Sequence, residues 1–215
     1  MKTLITALKT TVLLFTLLQN YVNAATITVL DQSQEVDGGS TLYWADRSLA
    51  QTFTTGFDMK LDFIELRMDT FAPRRSYPTT VQIRSTINGA PAEEILGSVF
   101  FDSGFLPSFP ERWATINYLD QNIFLEENTT YSIVLLNDDP SFADGATNEI
   151  RVAWDPMSYI DGALWANDGL GWEQLNAFGT TGDIGFRTYG VVPLPGSLLL
   201  FLTGLPMLLF KVRKT

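Results

Sequence analysis

From residue 25 to residue 190 the apolar positions recur with a period of two. In Asp62–Asp69 the apolar Ile64, Leu66 and Met68 alternate with Glu65, Arg67 and Asp69. Val81 and Ile83 alternate with Gln82 and Arg84, and Ile150, Val152 and Trp154 fall on one side of a later segment. Successive side chains of a strand point to opposite faces, so these segments predict half-buried strands with one wet face. Thr130–Asn137 is apolar almost throughout and predicts a central, buried strand. Asn88-Gly89, Asp138-Asp139-Pro140, Asp144-Gly145, Asp161-Gly162, Asn167-Asp168-Gly169 and Gly182-Asp183 break the runs as turns. Shorter strands are expected at Thr26–Leu30, Gln51–Thr54, Gly97–Phe101, Trp113–Tyr118, Ile123–Leu125 and Phe186–Gly190, whereas Pro91–Leu96 reads as one helical turn. About ten short strands at this spacing predict an all-β fold, a β-sandwich in the jelly-roll arrangement.

Both ends depart from the alternation. Lys2 and Lys9 precede an apolar run, Val12–Leu18, and the segment finishes Val22-Asn23-Ala24. That order predicts a signal peptide over residues 1–24, cut after Ala24 or Ala25. At the other end Gly196–Phe210 is apolar, contains Pro206, and runs directly into Lys211, Arg213 and Lys214. As a helix it would reach about 22 Å, short of the ~30 Å hydrocarbon core. The basic cluster holds its end in the cytoplasm. Residues 191–215 therefore predict a transmembrane helix that pauses export at the inner membrane, with a lasting single-span anchor as the alternative. The exported domain is residues 25–190.

Val192-Pro193-Leu194-Pro195, followed by an apolar helix and a basic cluster, resembles the PEP-CTERM sorting signal in its Val-Pro-x-Pro form. Leu194 stands where glutamate is typical. The resemblance covers residues 191–215 and implies an exosortase-like processing enzyme in the inner membrane of a Gram-negative, exopolysaccharide-producing cell. It implies delivery to the cell surface or extracellular matrix. Within Leu49–Leu136, the phrases LAQTFTTG, LDFIELRM, VQIRSTINGAPAEEILGS and LEENTTYSIVLL are similar to the jelly-roll domain of choice-of-anchor surface proteins. This second resemblance implies a non-catalytic extracellular module and assigns no functional residues.

Charge and composition narrow the chemistry. All 24 Asp and Glu lie in residues 25–190 with nine of the fourteen Lys and Arg, leaving the domain a net charge of −15. Such a surface argues against nucleic acid and anionic membrane as partners and fits a solvated extracellular protein. The chain has no Cys and no His. That removes disulfides, thiol nucleophiles, Ser-His-Asp triads and the usual zinc sites. Carboxylate chemistry, a Ser-Lys pair resting on Lys60, and calcium remain.

Two constellations are candidates for binding. Trp154, Tyr159, Trp165 and Trp172 fall within nineteen residues, and flat aromatic faces on a sandwich edge suit the C–H face of a sugar ring. Trp165 and Trp172 bracket a turn and would stand on the two arms of a hairpin. Whether they share a face depends on the loop register. Asn167 and Asp168 would supply hydrogen bonds to hydroxyls, and Tyr159 completes the candidate glycan platform; Trp154, beside Ile150 and Val152, reads first as core. The second constellation is Asp138, Asp139 and Asp144, candidate ligands for a structural calcium, the one cofactor suggested; turn formation alone also accounts for them. Pairs such as Glu126/Glu127 or Glu149/Asp155 keep a glycan-active hydrolase as the alternative. The expected function is non-catalytic: a surface or matrix protein that binds polysaccharide weakly, with a purely structural surface protein as the second alternative.

Overall fold

A computed structural model of the chain describes residues 26–36, 40–43, 48–70, 78–102, 112–137, 150–155, 159–177 and 180–193. The expected signal peptide lies outside these residues, as do Leu194 and Pro195, the apolar run after them, and Lys211, Arg213 and Lys214. Asp138, Asp139, Asp144 and Glu149 lie outside them too. Thr28–Val191 forms one compact unit. Among the described residues no helix is long and apolar enough to cross a membrane.

The chain runs as β1 (Thr26–Gln34), β2 (Ser40–Tyr43), β3 (Ser48–Thr54), β4 (Met59–Thr70), β5 (Pro78–Ile87), β6 (Ala90–Asp102), β7 (Arg112–Asn117) and β8 (Phe124–Leu125). It continues as β9 (Thr130–Asn137), β10 (Ile150–Asp155), β11 (Leu164–Asn167), β12 (Trp172–Gln174), β13 (Asn176–Ala177), β14 (Thr180–Thr181), β15 (Asp183–Ile184) and β16 (Phe186–Pro193). Leu119–Gln121 adds a single 3-10 turn. One sheet has the order β1-β16-β4-β10-β15, with β7 and β8 also on β4 and β2 on β10; a second has the order β12-β11-β3-β9-β5-β6. Every pairing of β4, β5, β9, β10 and β11 is antiparallel. The chain changes sheet repeatedly: β3 lies in the second, β4 in the first, β5 and β6 in the second, β7 in the first and β9 in the second.

The alternation read in the sequence fills the core. Ile64, Leu66 and Met68 from β4, Val81 and Ile83 from β5, Ile133 and Leu135 from β9 and Val152 from β10 are fully buried. Aromatic contacts cross between the sheets: Phe53 of β3 packs on Phe186 of β16, with ring centroids 6.2 Å apart. The buried Tyr118 hydroxyl donates to the Val81 carbonyl at 2.8 Å. Polar groups cross as well. Gln51 of β3 donates from Nε2 to Asp183 Oδ1 (2.7 Å) and accepts at Oε1 from the Ile184 amide (3.0 Å). Asp183 Oδ2 also accepts from the Tyr159 amide at 2.6 Å. Burial raises the Asp183 carboxyl above its ordinary 3.8, against the lowering effect of those two hydrogen bonds.

β6 corrects one expectation. Pro91–Leu96 is not a helical turn but part of a strand paired to β5 across the two-residue turn Asn88-Gly89, both residues at positive φ. The cause is visible in the register. Thr86 pairs with Pro91 and Arg84 with Ile95, so β6 carries two extra residues here and absorbs them as a bulge. β6 comes into contact with β9, β3 and β12, although it lies at the far edge of their sheet. The bulged arm therefore leans over the outer face, where Ala92 is buried and its carbonyl accepts from Arg84 Nη1 at 3.4 Å. Further along β6, Gln121 closes the free edge. Its Oε1 accepts from the Ser98 amide and its Nε2 donates to the Ser98 carbonyl, each at 2.9 Å. Gly97 gives that amide room, since a Cβ there would stand 2.7 Å from Gln121 Oε1. An edge strand with exposed Ile95 and Phe100 is open to pairing with another chain, and the Gln121 amide blocks its middle.

Candidate functional site

Trp165 and Trp172 stand on β11 and β12. The loop between these strands is Asp168–Gly171, and its shape is set by side chains. Asn167 Oδ1 accepts from the Gly169 amide (2.8 Å) and the Gly171 amide (3.2 Å), while Asp168 Oδ1 accepts from the Leu170 amide (3.2 Å). Gly169 (φ 98°) and Gly171 (φ 133°) take up the positive-φ positions this closure requires. The resulting register pairs Trp165 with Gln174 and Asn167 with Trp172. Residues paired across an antiparallel ladder share a face, as do positions two apart on one strand. Trp165, Asn167, Trp172 and Gln174 are therefore on one face, and the two indoles are diagonal neighbours, with Cα atoms about 7–8 Å apart.

That face is the outer one. Leu164 and Ala166 alternate onto the core side and are buried, whereas Trp165, Asn167 and Trp172 are partly exposed and Gln174 is exposed. Trp165 lies opposite Ala50 of β3, a small and fully buried residue that leaves room for a large ring beside it. The Trp165 Nε1 atom is buried and has no hydrogen-bond partner among the described residues. What this indole shows to solvent is carbon. A surface of that kind stacks on apolar C–H faces rather than donating a hydrogen bond.

The other candidate residues fall elsewhere. Tyr159 does not join the platform. It is 8% exposed, stands edge-on to Phe186 at 5.2 Å and donates from its hydroxyl to Gln32 Oε1 at 2.6 Å. The amide hydrogen bond to Asp183 draws it into the core. Asn167 and Asp168 spend their Oδ1 atoms on the loop, so the Asn167 amide N–H donors are what it offers outward. Trp154 is core, 4% exposed. Glu126 and Glu127 are exposed on the turn before β9. Val192 and Pro193 form the end of β16. The described acidic residues include no group of three or more able to hold a metal ion.

A second aromatic group escaped the reading of the sequence. On the outer face of the first sheet, Tyr189 pairs with Phe63 and Arg187 with Glu65, while Arg67 pairs with Trp113 on the other side of β4. Phe63 and Tyr189 stack with centroids 4.3 Å apart. The Arg187 guanidinium lies 4.0 Å over the Trp113 ring. It donates to Glu35 Oε1 (2.7 Å), Glu35 Oε2 (3.0 Å) and Glu65 Oε2 (3.1 Å). The Tyr189 hydroxyl donates to the same Glu65 oxygen at 3.0 Å. Hydrogen bonding to Glu35 raises the Arg187 guanidinium further above its ordinary value, and burial followed by Glu65 raises the Tyr189 phenol. The alternation of Glu65, Arg67 and Asp69 marked this face as wet; Asp69 is instead fully buried, and the partners of Glu65 lie far away in sequence.

Comparison with known proteins adds the fold and little more. No protein-family model and no curated protein matches the chain. Among solved structures, it is similar to the cysteine protease and lectin-like domains of Cwp84, a surface layer associated protein of Clostridium difficile. The TM-score is 0.50 at 13% sequence identity, and the likeness covers 75% of this chain and 35% of that one. This chain thus spans about a third of the length of that structure. At such low identity the likeness is one of architecture: antiparallel sheets packed as a sandwich. Having no cysteine, these residues cannot carry a cysteine protease's nucleophile.

Proposed function

We propose that residues 25–190 are an exported, non-catalytic glycan-binding domain of jelly-roll type, and that Trp165 and Trp172 are its stacking platform. The observation that carries this reading is the β11–β12 register, which sets two partly exposed indoles diagonally on one outer face. Asn167 and Gln174 stand beside them with amide groups suited to sugar hydroxyls. The lectin-like domain in the similar surface-layer-associated protein supports the same reading. Delivery to the cell surface or matrix follows from the expected signal peptide and sorting tail. Processing by an exosortase-like enzyme near Val192–Pro195 belongs to the same proposal. C-terminal mass spectrometry of mature protein from cells is expected to find Lys211–Thr215 gone; an intact Thr215 would refute the processing.

The platform is tested by affinity electrophoresis of the full chain against soluble polysaccharides. Trp165→Ala/Trp172→Ala is expected to lose retention by about a hundredfold, from about 1.4 kcal/mol of stacking per ring. Retention unchanged in the double variant would sink the platform.

A further inference from the structure

The surroundings of the ring pair narrow its ligand. None of the four platform side chains, Trp165, Asn167, Trp172 and Gln174, is charged. The exposed charged groups on this side are carboxylates: Asp168 in the loop, and Glu93 and Glu94 on the bulge of β6, the strand that reaches β12; Glu173 pairs with Ala166 and lies on the opposite face. Among the described residues, the cation on that outer face is Arg84, whose guanidinium is engaged by its own neighbours. Its Nε and Nη2 donate to Gln82 Oε1 at 2.8 and 2.6 Å, and its Nη1 to the Ala92 carbonyl. Holding a sugar carboxylate or sulfate calls for a guanidinium or ammonium with a free donor face. This face presents negative charge instead, within a domain of net charge −15.

Resting on the platform reading above, we infer that the site takes neutral glycans, hydroxyl-bearing chains without carboxylate, sulfate or phosphate groups, and excludes acidic polysaccharides. Stacking and hydrogen bonds to hydroxyls are insensitive to salt, whereas repulsion of a polyanion is screened over a length of about 10 Å at 0.1 M ionic strength. The two ligand classes therefore respond oppositely to ionic strength.

The test titrates the full chain, in chelator, with a linear neutral β-glucan and a polyuronate of matched length. The neutral glycan is expected to be retained equally at low and high salt. The polyuronate should bind about tenfold or more weakly at low salt and gain as salt rises. Glu93→Gln/Glu94→Gln should narrow that gap and leave neutral-glycan retention unchanged. Equal binding of both polymers at low salt, or a gap that the double Glu variant does not narrow, overturns the inference while leaving the platform standing. Failure of a folded wild-type chain to retain either polymer overturns the platform itself.

Discussion

The two outer faces of the sandwich carry the same kinds of side chain and use them in opposite ways. On the first sheet, the rings around Arg187 have partners from the protein, while Phe124 of β8 stands exposed. Phe63 and Tyr189 cover one another, and Arg187 covers Trp113 while two carboxylates hold its guanidinium. On the second sheet, Trp165 and Trp172 share a face without a described ring or cation over either one. Sequence composition does not separate these cases, because both faces offer Trp beside amides and acids. Satisfaction does. A ring already stacked by its own fold adds stability and has little surface left for a ligand. An unstacked, partly exposed pair costs free energy in water unless something covers it.

Mutations that cut one face should leave the other untouched. The largest stability effect is expected from Glu65→Ala, which removes the acceptor of Tyr189 and one of the acceptors of Arg187, with the Glu65 side chain only 18% exposed. Hydrogen bonds to charged groups contribute about 1.5–3 kcal/mol, and the partial exposure here points to the lower end. Thermal melting should show that loss, and glycan retention should not change. Trp165→Ala/Trp172→Ala should do the reverse, costing about 1 kcal/mol in melting while retention disappears. A double variant that lost several kcal/mol would mark both rings as core, by cavity formation, and erase the difference between the faces.

Asp183, in the core between the sheets, provides a control with a smaller effect. Its folded carboxyl titrates above its unfolded value, so the folded state binds the proton more tightly. Its contribution to stability is thus fully present below the unfolded value and is lost as pH rises through the raised folded value. The stability of wild type relative to Asp183→Asn should therefore be greatest in acid and decline toward neutral pH, as read from denaturant melts. A difference that grew with pH would contradict the burial of this carboxylate, and neither outer face should respond to the substitution at neutral pH.

Local pattern made the strands legible, and distance made the sites obscure. Thr130–Asn137 is a strand over the very residues its apolar run marks, and β4, β5 and β10 extend only slightly beyond their alternating segments. β13, β14 and β15 span two residues each, too short to display any period. The bulge in β6 could not be read because it depends on pairing with β5. The shared face of Trp165 and Trp172 was undecidable from an odd separation, until Asn167 fixed a four-residue loop. The burial of Tyr159 was not legible because it depends on Asp183, a residue of β15. The Arg187–Glu65–Tyr189 group joins positions more than a hundred residues apart, and no spacing rule reaches that far.

The central claim is that the second sheet's indoles, and not the first sheet's, meet the ligand. Indole N–H resonances of the chain, assigned by single Trp→Phe substitutions, report this directly during titration with a neutral glycan. Trp165 and Trp172 should shift in proportion to occupancy while Trp113 and Trp154 stay fixed, since one is covered by Arg187 and the other is buried. Shifts confined to Trp113, or binding that moves neither Trp165 nor Trp172, would contradict the account.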